Sequence, residues 1–169
     1  MKKTLGYSDY APLLAQFVAL VQDVMEVQLI AIVLYGSVAR GEAGPESDVD
    51  LLLVVKDASP VYYKRLQPVL PLLRQLRQQT HWPMLQAEGF GPEVNVLILS
   101  QQEADQNRLL YLDMIEDARI LVDRDNFFEK RLRQLRERLQ ELKARKIRQN
   151  GGWYWDLKPD LKPDESVTL

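Results

Sequence analysis

Short apolar runs bounded by glycine, proline or charge mark the strands of this chain. Residues 29–35 and 49–55 are almost entirely aliphatic or β-branched, which is typical of strands buried on both faces. Residues 93–100 predict a third long strand, and 120–122 a short edge strand. Apolar residues recur at helical spacing over 10–27. The pattern predicts an α/β fold, with strands and helices alternating along the chain.

Proline and capping residues set the expected helix limits. Ser59 followed by Pro60 predicts an N-cap and first helical residue, and that helix should be interrupted at Pro68 and Pro71. The spacing of Ser100 and Glu103 forms a capping box, which predicts a helix directly after the third long strand.

The C-terminal part of the chain has a different pattern and charge. Leucine and phenylalanine recur at spacings of three and four from residue 128 to 142, which predicts an amphipathic helix of about 23 residues. Residues 124–148 contain ten Lys or Arg and four Asp or Glu, although the whole chain has a net charge of −2. We therefore expect an acidic body at 1–123, a basic helix at 124–149 and an extended tail at 150–169.

The tail contains three adjacent aromatic residues, Trp153, Tyr154 and Trp155, followed by two Lys-Pro pairs that favour extended backbone. Three neighbouring aromatics cannot all point into one core. Either the tail packs back over its own domain, or it docks on a partner protein or a second copy of the chain, which would make a homo-oligomer.

Polar residues that fit phosphate chemistry lie between the first two predicted strands. Gly36 and Ser37 follow the first strand, and Asp48 and Asp50 lie at i and i+2 of the second, so both carboxylates point to one face. Two carboxylates there repel each other unless a cation lies between them, and Mg²⁺ is bound in this way together with substrate phosphates. The pattern indicates metal-assisted chemistry on a nucleotide.

The motif Gly36-Ser37-x10-Asp48-x-Asp50 resembles the signature of DNA polymerase β-like nucleotidyltransferases. It is most similar to the minimal nucleotidyltransferases that accompany HEPN-domain proteins in toxin–antitoxin pairs. The resemblance implies a small mixed β-sheet flanked by helices, a triphosphate contact at Gly36 and Ser37, and Mg²⁺ ligands at Asp48 and Asp50. It also implies two Mg²⁺ ions, with ATP or another nucleoside triphosphate as substrate.

Arg40 and Ser47 lie inside the same motif and are assigned with it to the nucleotide site. Two interpretations of Arg40 stay open. It contacts phosphate, or it forms a surface ion pair with Glu42 or Glu46. Ser37 is also open to a simpler role as a helix N-cap, which is compatible with phosphate binding.

The family's third carboxylate is missing at the expected position. Alignment of the third strand puts Asn95 where members of the family carry Asp, and an amide brings neither charge nor useful basicity. Glu93, two residues earlier on the same strand face, is the candidate substitute. Either Glu93 completes the catalytic site with Asn95, or metal binding is weakened and the enzyme is slow or inactive.

Composition excludes several other classes of site. The chain has no cysteine, so it has neither disulfides nor thiolate–zinc centres, and its one histidine makes a Ser-His-Asp triad improbable. No apolar run approaches the ~20 residues of a bilayer span, and the N-terminus lacks the apolar stretch of a signal peptide. We therefore expect a cytoplasmic protein without membrane contact.

The resulting hypothesis is Mg²⁺-dependent transfer of a nucleoside monophosphate, with AMP from ATP as the favoured case, to a hydroxyl of a partner protein. The resemblance points to a HEPN-type partner and an antitoxin role. The alternative is a catalytically inactive module that neutralises its partner by binding through the tail and basic helix. Nucleic acid is a less favoured partner for the basic helix.

Overall fold

The structure, a computed structural model, describes residues 3–91, 93–149, 152–162, 166–167 and 169. The strands in this part of the chain are β1 Leu29–Tyr35, β2 Val49–Val55, β3 Val94–Ser100, β4 Arg119–Asp123, β5 Arg145–Gln149 and β6 Gly152–Asp156. The helices are α1 Tyr7–Met25, α2 Gly36–Arg40, α3 Tyr62–Leu66, α4 Leu70–Arg77, α5 His81–Ala87, α6 Gln101–Ala104, α7 Leu110–Asp117 and α8 Phe127–Glu141.

Four strands form the central sheet in the order β3-β2-β1-β4. β1 runs antiparallel to β2 and β4, whereas β2 and β3 are parallel. The chain reaches β3 from β2 through α3, α4 and α5, because a parallel neighbour requires a long crossover. This arrangement confirms the predicted α/β fold with a small mixed sheet flanked by helices.

Helices cover both faces of the sheet, and this explains why β1 and β2 are apolar at nearly every position. One face packs against α1, α4 and α5, and its buried core includes Phe17, Ile32 and Leu76. The opposite face packs against α7 and α8, with Val33, Tyr111 and Phe128 among its buried residues. The rings of Tyr111 and Phe128 meet edge to face at 5.3 Å.

The proline and capping signals are confirmed in part. The helical segment divides into α3 and α4 at Pro68 as predicted, but Pro71 lies in the first turn of α4 and does not interrupt it. The predicted N-cap at Ser59 is wrong: α3 begins at Tyr62, and the Ser59 hydroxyl accepts the Val61 N–H in a local turn. The capping box is present as predicted: Ser100 Oγ accepts the Glu103 N–H at 3.1 Å, and the Glu103 carboxylate accepts the Ser100 N–H at 2.8 Å.

The basic C-terminal helix is shorter than expected. The predicted helix over 124–149 is wrong at its C-terminal end, since α8 ends at Glu141 and residues 145–149 form β5. Lys143 has a left-handed φ of 56°, and the N–H groups of Lys143 and Ala144 bond back to the carbonyls of Gln140 and Leu139 in a Schellman motif. This motif reverses the chain and releases the following residues for strand pairing.

β5 pairs with β6 in a separate antiparallel hairpin, with Lys146 opposite Trp155 and Arg148 opposite Trp153. The extended backbone predicted for the aromatic tail is therefore present at residues 152–156, but as a paired strand. Trp155 packs against the core shared by α7 and α8, and Tyr154 is exposed.

Side chains from α3 cover the outer edge of β3. Tyr62 Oη donates to the Val96 carbonyl at 3.2 Å, and Arg65 Nη1 donates to the Ile98 carbonyl at 3.0 Å. The Arg65 guanidinium also forms two hydrogen bonds with the Glu103 carboxylate, at 2.7 and 2.9 Å. This bidentate pair ties α3 to the start of α6.

None of the helices seen in the described part of the chain combines the length and the apolar character that a membrane span requires.

Candidate active site

Three neighbouring strands contribute one row of polar side chains to the sheet face that carries α7 and α8. Tyr35 on β1 lies opposite Asp50 on β2, and Asp50 lies opposite Asn95 on β3. Asp48 precedes β2 by one residue and shares the face of Asp50, because side chains alternate along a strand. The structure therefore brings together Asp48, Asp50 and Asn95.

The Asn95 amide lies between the two carboxylates. Its Nδ2 donates to Asp48 Oδ2 at 2.8 Å, while its backbone is in register with Asp50. Burial raises the pKa of the Asp50 carboxyl; the Asn95 amide and Arg40 oppose this increase, and the negative charge of Asp48 adds to it. A divalent cation at this position would relieve both the burial and the repulsion.

Gly36 allows the Asp50 carboxylate to approach the turn between β1 and α2. Its φ of 76° is left-handed, and a Cβ built there would collide with Asp50 Oδ2 and lie 3.3 Å from Asp50 Cγ. Only glycine satisfies both the backbone conformation and this close approach. The contact between Gly36 and Asp50 thus joins the Gly-Ser part of the motif to its Asp-x-Asp part.

The other residues of the motif have separate positions. Ser37 lies inside α2, and the N-cap of this helix is Tyr35, so the interpretation of Ser37 as an N-cap is wrong. Ser47 Oγ accepts the Gly44 N–H at 2.9 Å and closes the loop before β2. Arg40 Nε pairs with Glu42 Oε2 at 2.9 Å, and its charge also acts on Asp50.

Glu93, the candidate third carboxylate, binds elsewhere. Its Oε2 is 2.6 Å from Arg77 Nη2, and both side chains are more than half exposed. Its backbone carbonyl accepts the Val49 N–H at 2.7 Å, which fixes the start of the β2–β3 pairing. A metal-binding role for Glu93 stays a prediction and would require this exposed ion pair to open.

The donor set fits Mg²⁺. Within the described residues no group of three or more His, Cys, Asp or Glu side chains is arranged to hold a metal. Asp48 and Asp50 supply two carboxylates and Asn95 one amide, all of which offer oxygen. Mg²⁺ is commonly held by one or two carboxylates and completes its shell with water and substrate phosphates. Asp48 and Asp50 are the residues that would hold it, and Asn95 would join them through its Oδ1 once its amide turns, because Nδ2 now donates to Asp48.

A further carboxylate, Asp113 on α7, reaches the same region and was missed by sequence reasoning. Burial raises its pKa, and Arg40 and Lys146 oppose the increase. The pKa of Tyr35 is raised to about 12 by burial and by Asp50, Tyr62 and Asp113, so its hydroxyl stays neutral. No local pattern marked Asp113, because its proximity to Arg40 and Lys146 arises only from the packing of α7.

An open groove of about 1120 Å³ lies between α2, the end of α7 and the β5–β6 hairpin. Its lining includes Arg40, Glu42, Glu116, Lys146, Arg148 and Trp153. The groove adjoins the carboxylate site through Arg40, whose charge acts on Asp50.

Several solved structures align with this chain, at low sequence identity. The toxin–antitoxin complex MntA–HepT aligns at 14% identity over 79% of this chain and 92% of that chain, with a TM-score of 0.43. A tri-AMPylated Shewanella oneidensis HEPN toxin in complex with MNT antitoxin aligns at 14% identity over 79% and 92%, with a TM-score of 0.44.

The spectinomycin adenyltransferase AAD(9) from Enterococcus faecialis, with ATP and spectinomycin, aligns at 14% identity over 78% of this chain and 66% of that chain, with a TM-score of 0.49. At these identities and TM-scores a likeness assigns neither an activity nor a partner. No curated protein sequence matches the chain significantly.

The family assignment comes from sequence. The family model described as nucleotidyltransferase domain matches residues 20–159, which is more than half of the chain and includes the complete Gly-Ser and Asp-x-Asp motif. This match agrees with the resemblance inferred from the motif, and the chain therefore belongs to the nucleotidyltransferase domain family.

Proposed function

We propose that this protein is a Mg²⁺-dependent nucleotidyltransferase that moves a nucleoside monophosphate, AMP from ATP in the favoured case, onto a hydroxyl of a partner protein. The observation that carries the proposal is the pair of carboxylates, Asp48 and Asp50, on one face of β2 with Gly36 packed against Asp50. The partial burial of Asp50 and the close approach of Gly36 support a ligand-binding role, because a half-buried carboxylate is costly unless a cation or hydrogen bonds compensate its charge.

In the proposed reaction, the acceptor oxygen forms a bond to the α-phosphorus. The bond from that phosphorus to the oxygen bridging to the β-phosphate breaks, and pyrophosphate leaves while the acceptor hydroxyl loses its proton. Bound Mg²⁺ would supply charge stabilisation for the attacking and leaving oxygens. The chain's own contribution is positioning: Asp48 and Asp50 present the metal-binding oxygens, Asn95 holds Asp48 by a hydrogen bond, and the Gly36–Ser37 turn beside Asp50 would contact phosphate.

The finer part of the proposal concerns the acceptor. The motif resembles that of minimal nucleotidyltransferases paired with HEPN proteins, so we propose a tyrosine of a HEPN-type partner as acceptor and an antitoxin role for this chain. Such transfer would inactivate the partner by covalent modification.

A second candidate function is supported by Asn95. Because β3 carries an amide opposite Asp50 and Glu93 is paired with Arg77, the third strand supplies no free carboxylate where the resemblance implies one. A weak or inactive site would make the protein a binding module that neutralises its partner without chemistry.

The decisive experiment uses ATP labelled at the α-phosphate, Mg²⁺ and lysate of the host, with the wild-type protein and an Asp48→Asn/Asp50→Asn variant. Asp57→Asn is the matched control, since Asp57 is exposed beyond the opposite end of β2. We expect a labelled protein band with the wild type and with Asp57→Asn, and none with the double variant.

Absence of label with all four nucleoside triphosphates, from a protein shown to be folded, would favour the binding module instead. Label that persists in the double variant would exclude the Asp48–Asp50 site as the source of activity.

A further inference from the structure

One face of the β5–β6 hairpin lines the groove beside α2. Lys146 and Arg148 alternate with Arg145 and Ile147 along β5, and Arg148 lies opposite Trp153 in the antiparallel register. Opposed residues of an antiparallel pair share a face. Lys146, Arg148 and Trp153 line the groove beside α2, whereas Arg145 and Tyr154 do not. The groove face is thus cationic and aromatic.

Three carboxylates, Glu42, Glu116 and Asp117, line the groove, and the first two can exchange for another anion. Glu42 binds Arg40 and Glu116 binds Lys146, and the side chains of the two glutamates are 63% and 49% exposed. Exposed ion pairs contribute little stability, so a phosphate can displace these carboxylates at low cost. Arg148 is exposed and forms no ion pair with any residue of the described chain. Three cations therefore face the groove from α2 and β5.

Trp153 supplies the aromatic surface. The Lys146 ammonium lies 4.3 Å from the centroid of its ring, a cation–π contact that places positive charge directly beside the indole. An aromatic ring next to cations is the combination that binds nucleotides, because a base stacks on the ring while the cations contact phosphate.

The groove adjoins the carboxylate site through α2. Gly36, at the start of this helix, packs against the Asp50 carboxylate, and Arg40, at its end, lines the groove. A ligand with its phosphates beside Asp48 and Asp50 would have its remaining part in the groove, and a volume of about 1120 Å³ accommodates a nucleoside triphosphate.

We propose that the β5–β6 hairpin is the nucleotide-binding wall of this enzyme, with the base stacked on Trp153 and the phosphates contacted by Arg148 and by Arg40 and Lys146 after they release their glutamates. This inference rests on the proposed nucleotidyl transfer. It gives the aromatic tail a role in substrate binding.

The test measures binding of a fluorescent, non-hydrolysable ATP analogue to the full chain by anisotropy, with Mg²⁺ present. Arg148→Gln and Trp153→Leu should each weaken binding about tenfold, the order expected for a charge-assisted contact or a stacked base. Arg145→Gln and Tyr154→Leu remove an arginine and an aromatic ring from the opposite face, and these variants should bind the analogue as the wild type does.

Competition with inorganic triphosphate distinguishes the phosphate contact proposed for Arg148 from the base stacking proposed for Trp153. Arg148→Gln should weaken its binding, and Trp153→Leu should not, because triphosphate has no base. If Trp153→Leu does not fold, Trp153→Tyr replaces it. This variant retains an aromatic ring and should keep most of the affinity for the analogue. A tenfold loss of affinity in Trp153→Tyr would contradict stacking.

The inference would be overturned if Arg148→Gln and Trp153→Leu both bound the nucleotide with wild-type affinity. It would also be overturned if the groove instead bound a cationic small molecule through Glu42 and Glu116. These outcomes are independent of the transfer assay. Nucleotide binding that depends on Arg148 and Trp153, in a protein without transfer activity, would support the inference and refute the proposed function. Transfer activity together with binding that does not depend on these two residues would refute the inference and support the proposed function.

Discussion

Gly36 and Gly41 have the same backbone conformation and different surroundings. Both have a φ of 76° and bracket α2, but a Cβ at Gly41 would have no heavy atom within 4 Å, whereas a Cβ at Gly36 would meet the Asp50 carboxylate. A side chain at Gly41 would therefore cause backbone strain alone, whereas a side chain at Gly36 would cause the same strain and also displace the Asp50 carboxylate.

We predict that Gly36→Ala and Gly41→Ala each lower the free energy of unfolding by about 1–2 kcal/mol, the cost of a left-handed alanine. Only Gly36→Ala should also abolish Mg²⁺-dependent nucleotidyl transfer, because its methyl group pushes the Asp50 carboxylate away. Urea denaturation and the labelled-ATP assay measure the two effects. Equal activity in the two variants would show that the Gly36–Asp50 contact does not matter for catalysis.

Local patterns predict some residues of the site and miss others. Asp48 and Asp50 were predictable because an i, i+2 pair on an apolar strand shares one face by geometry alone. Asp113 and Lys146 were not, since α7 and β5 are brought to the site by packing between segments distant in sequence. The shared face of Asp48 and Asp50 is confirmed, whereas the chemical roles of Asp48, Asp50, Glu93 and Asn95 stay predictions.

At the scale of elements, the end of α8 shows how a helix stops without a glycine. Lys143 occupies the left-handed C′ position of the Schellman motif, which glycine normally takes. No residue pattern marks this helix end, because lysine is a good helix former and Leu142 continues the apolar stripe. The predicted helix was therefore too long, although its buried face was correct: Phe128, Leu132, Leu135 and Leu139 are all buried.

We predict that Lys143→Gly raises the free energy of unfolding by about 0.5–1 kcal/mol, since glycine adopts a positive φ without strain. Arg133→Gly, at an exposed position within α8, should instead lower it by about 1 kcal/mol. Both are measured by chemical denaturation. Destabilisation by Lys143→Gly would indicate that the lysine side chain contributes more than its backbone strain costs.

At the scale of the whole molecule, the contact between Arg65 and Glu103 joins the crossover between β2 and β3 to the segment that follows β3. The Arg65 side chain is 8% exposed and that of Glu103 is 34% exposed. The hydrogen bonds from Arg65, together with the Ser100 N–H, lower the pKa of Glu103 to about 2. A carboxylate with a pKa lower in the folded than in the unfolded state stabilises the fold above its unfolded pKa.

We predict that Glu103→Gln lowers the free energy of unfolding at neutral pH by about 1–2 kcal/mol, a value that allows for the partial exposure of the carboxylate. The difference from wild type should decrease as the pH falls from 4.5 towards 2, where the wild-type carboxylate becomes protonated. Urea denaturation of both proteins from neutral pH down to acidic pH measures this difference in the free energy of unfolding. Glu88→Gln, which removes an exposed pair with Lys3, should have almost no effect at any pH. A difference that is constant with pH would contradict an ionic contribution from Glu103.

The side chains that cover β3 also hinder association of two molecules through this edge of the sheet. An uncovered edge strand is a template on which strands of other molecules can add, which leads to aggregation or fibrils. Here Tyr62 and Arg65 bind the outward carbonyls of Val96 and Ile98. A second molecule would have to displace a guanidinium that Glu103 holds in place. The crossover that brings β3 to the sheet thus also prevents the sheet from growing beyond it.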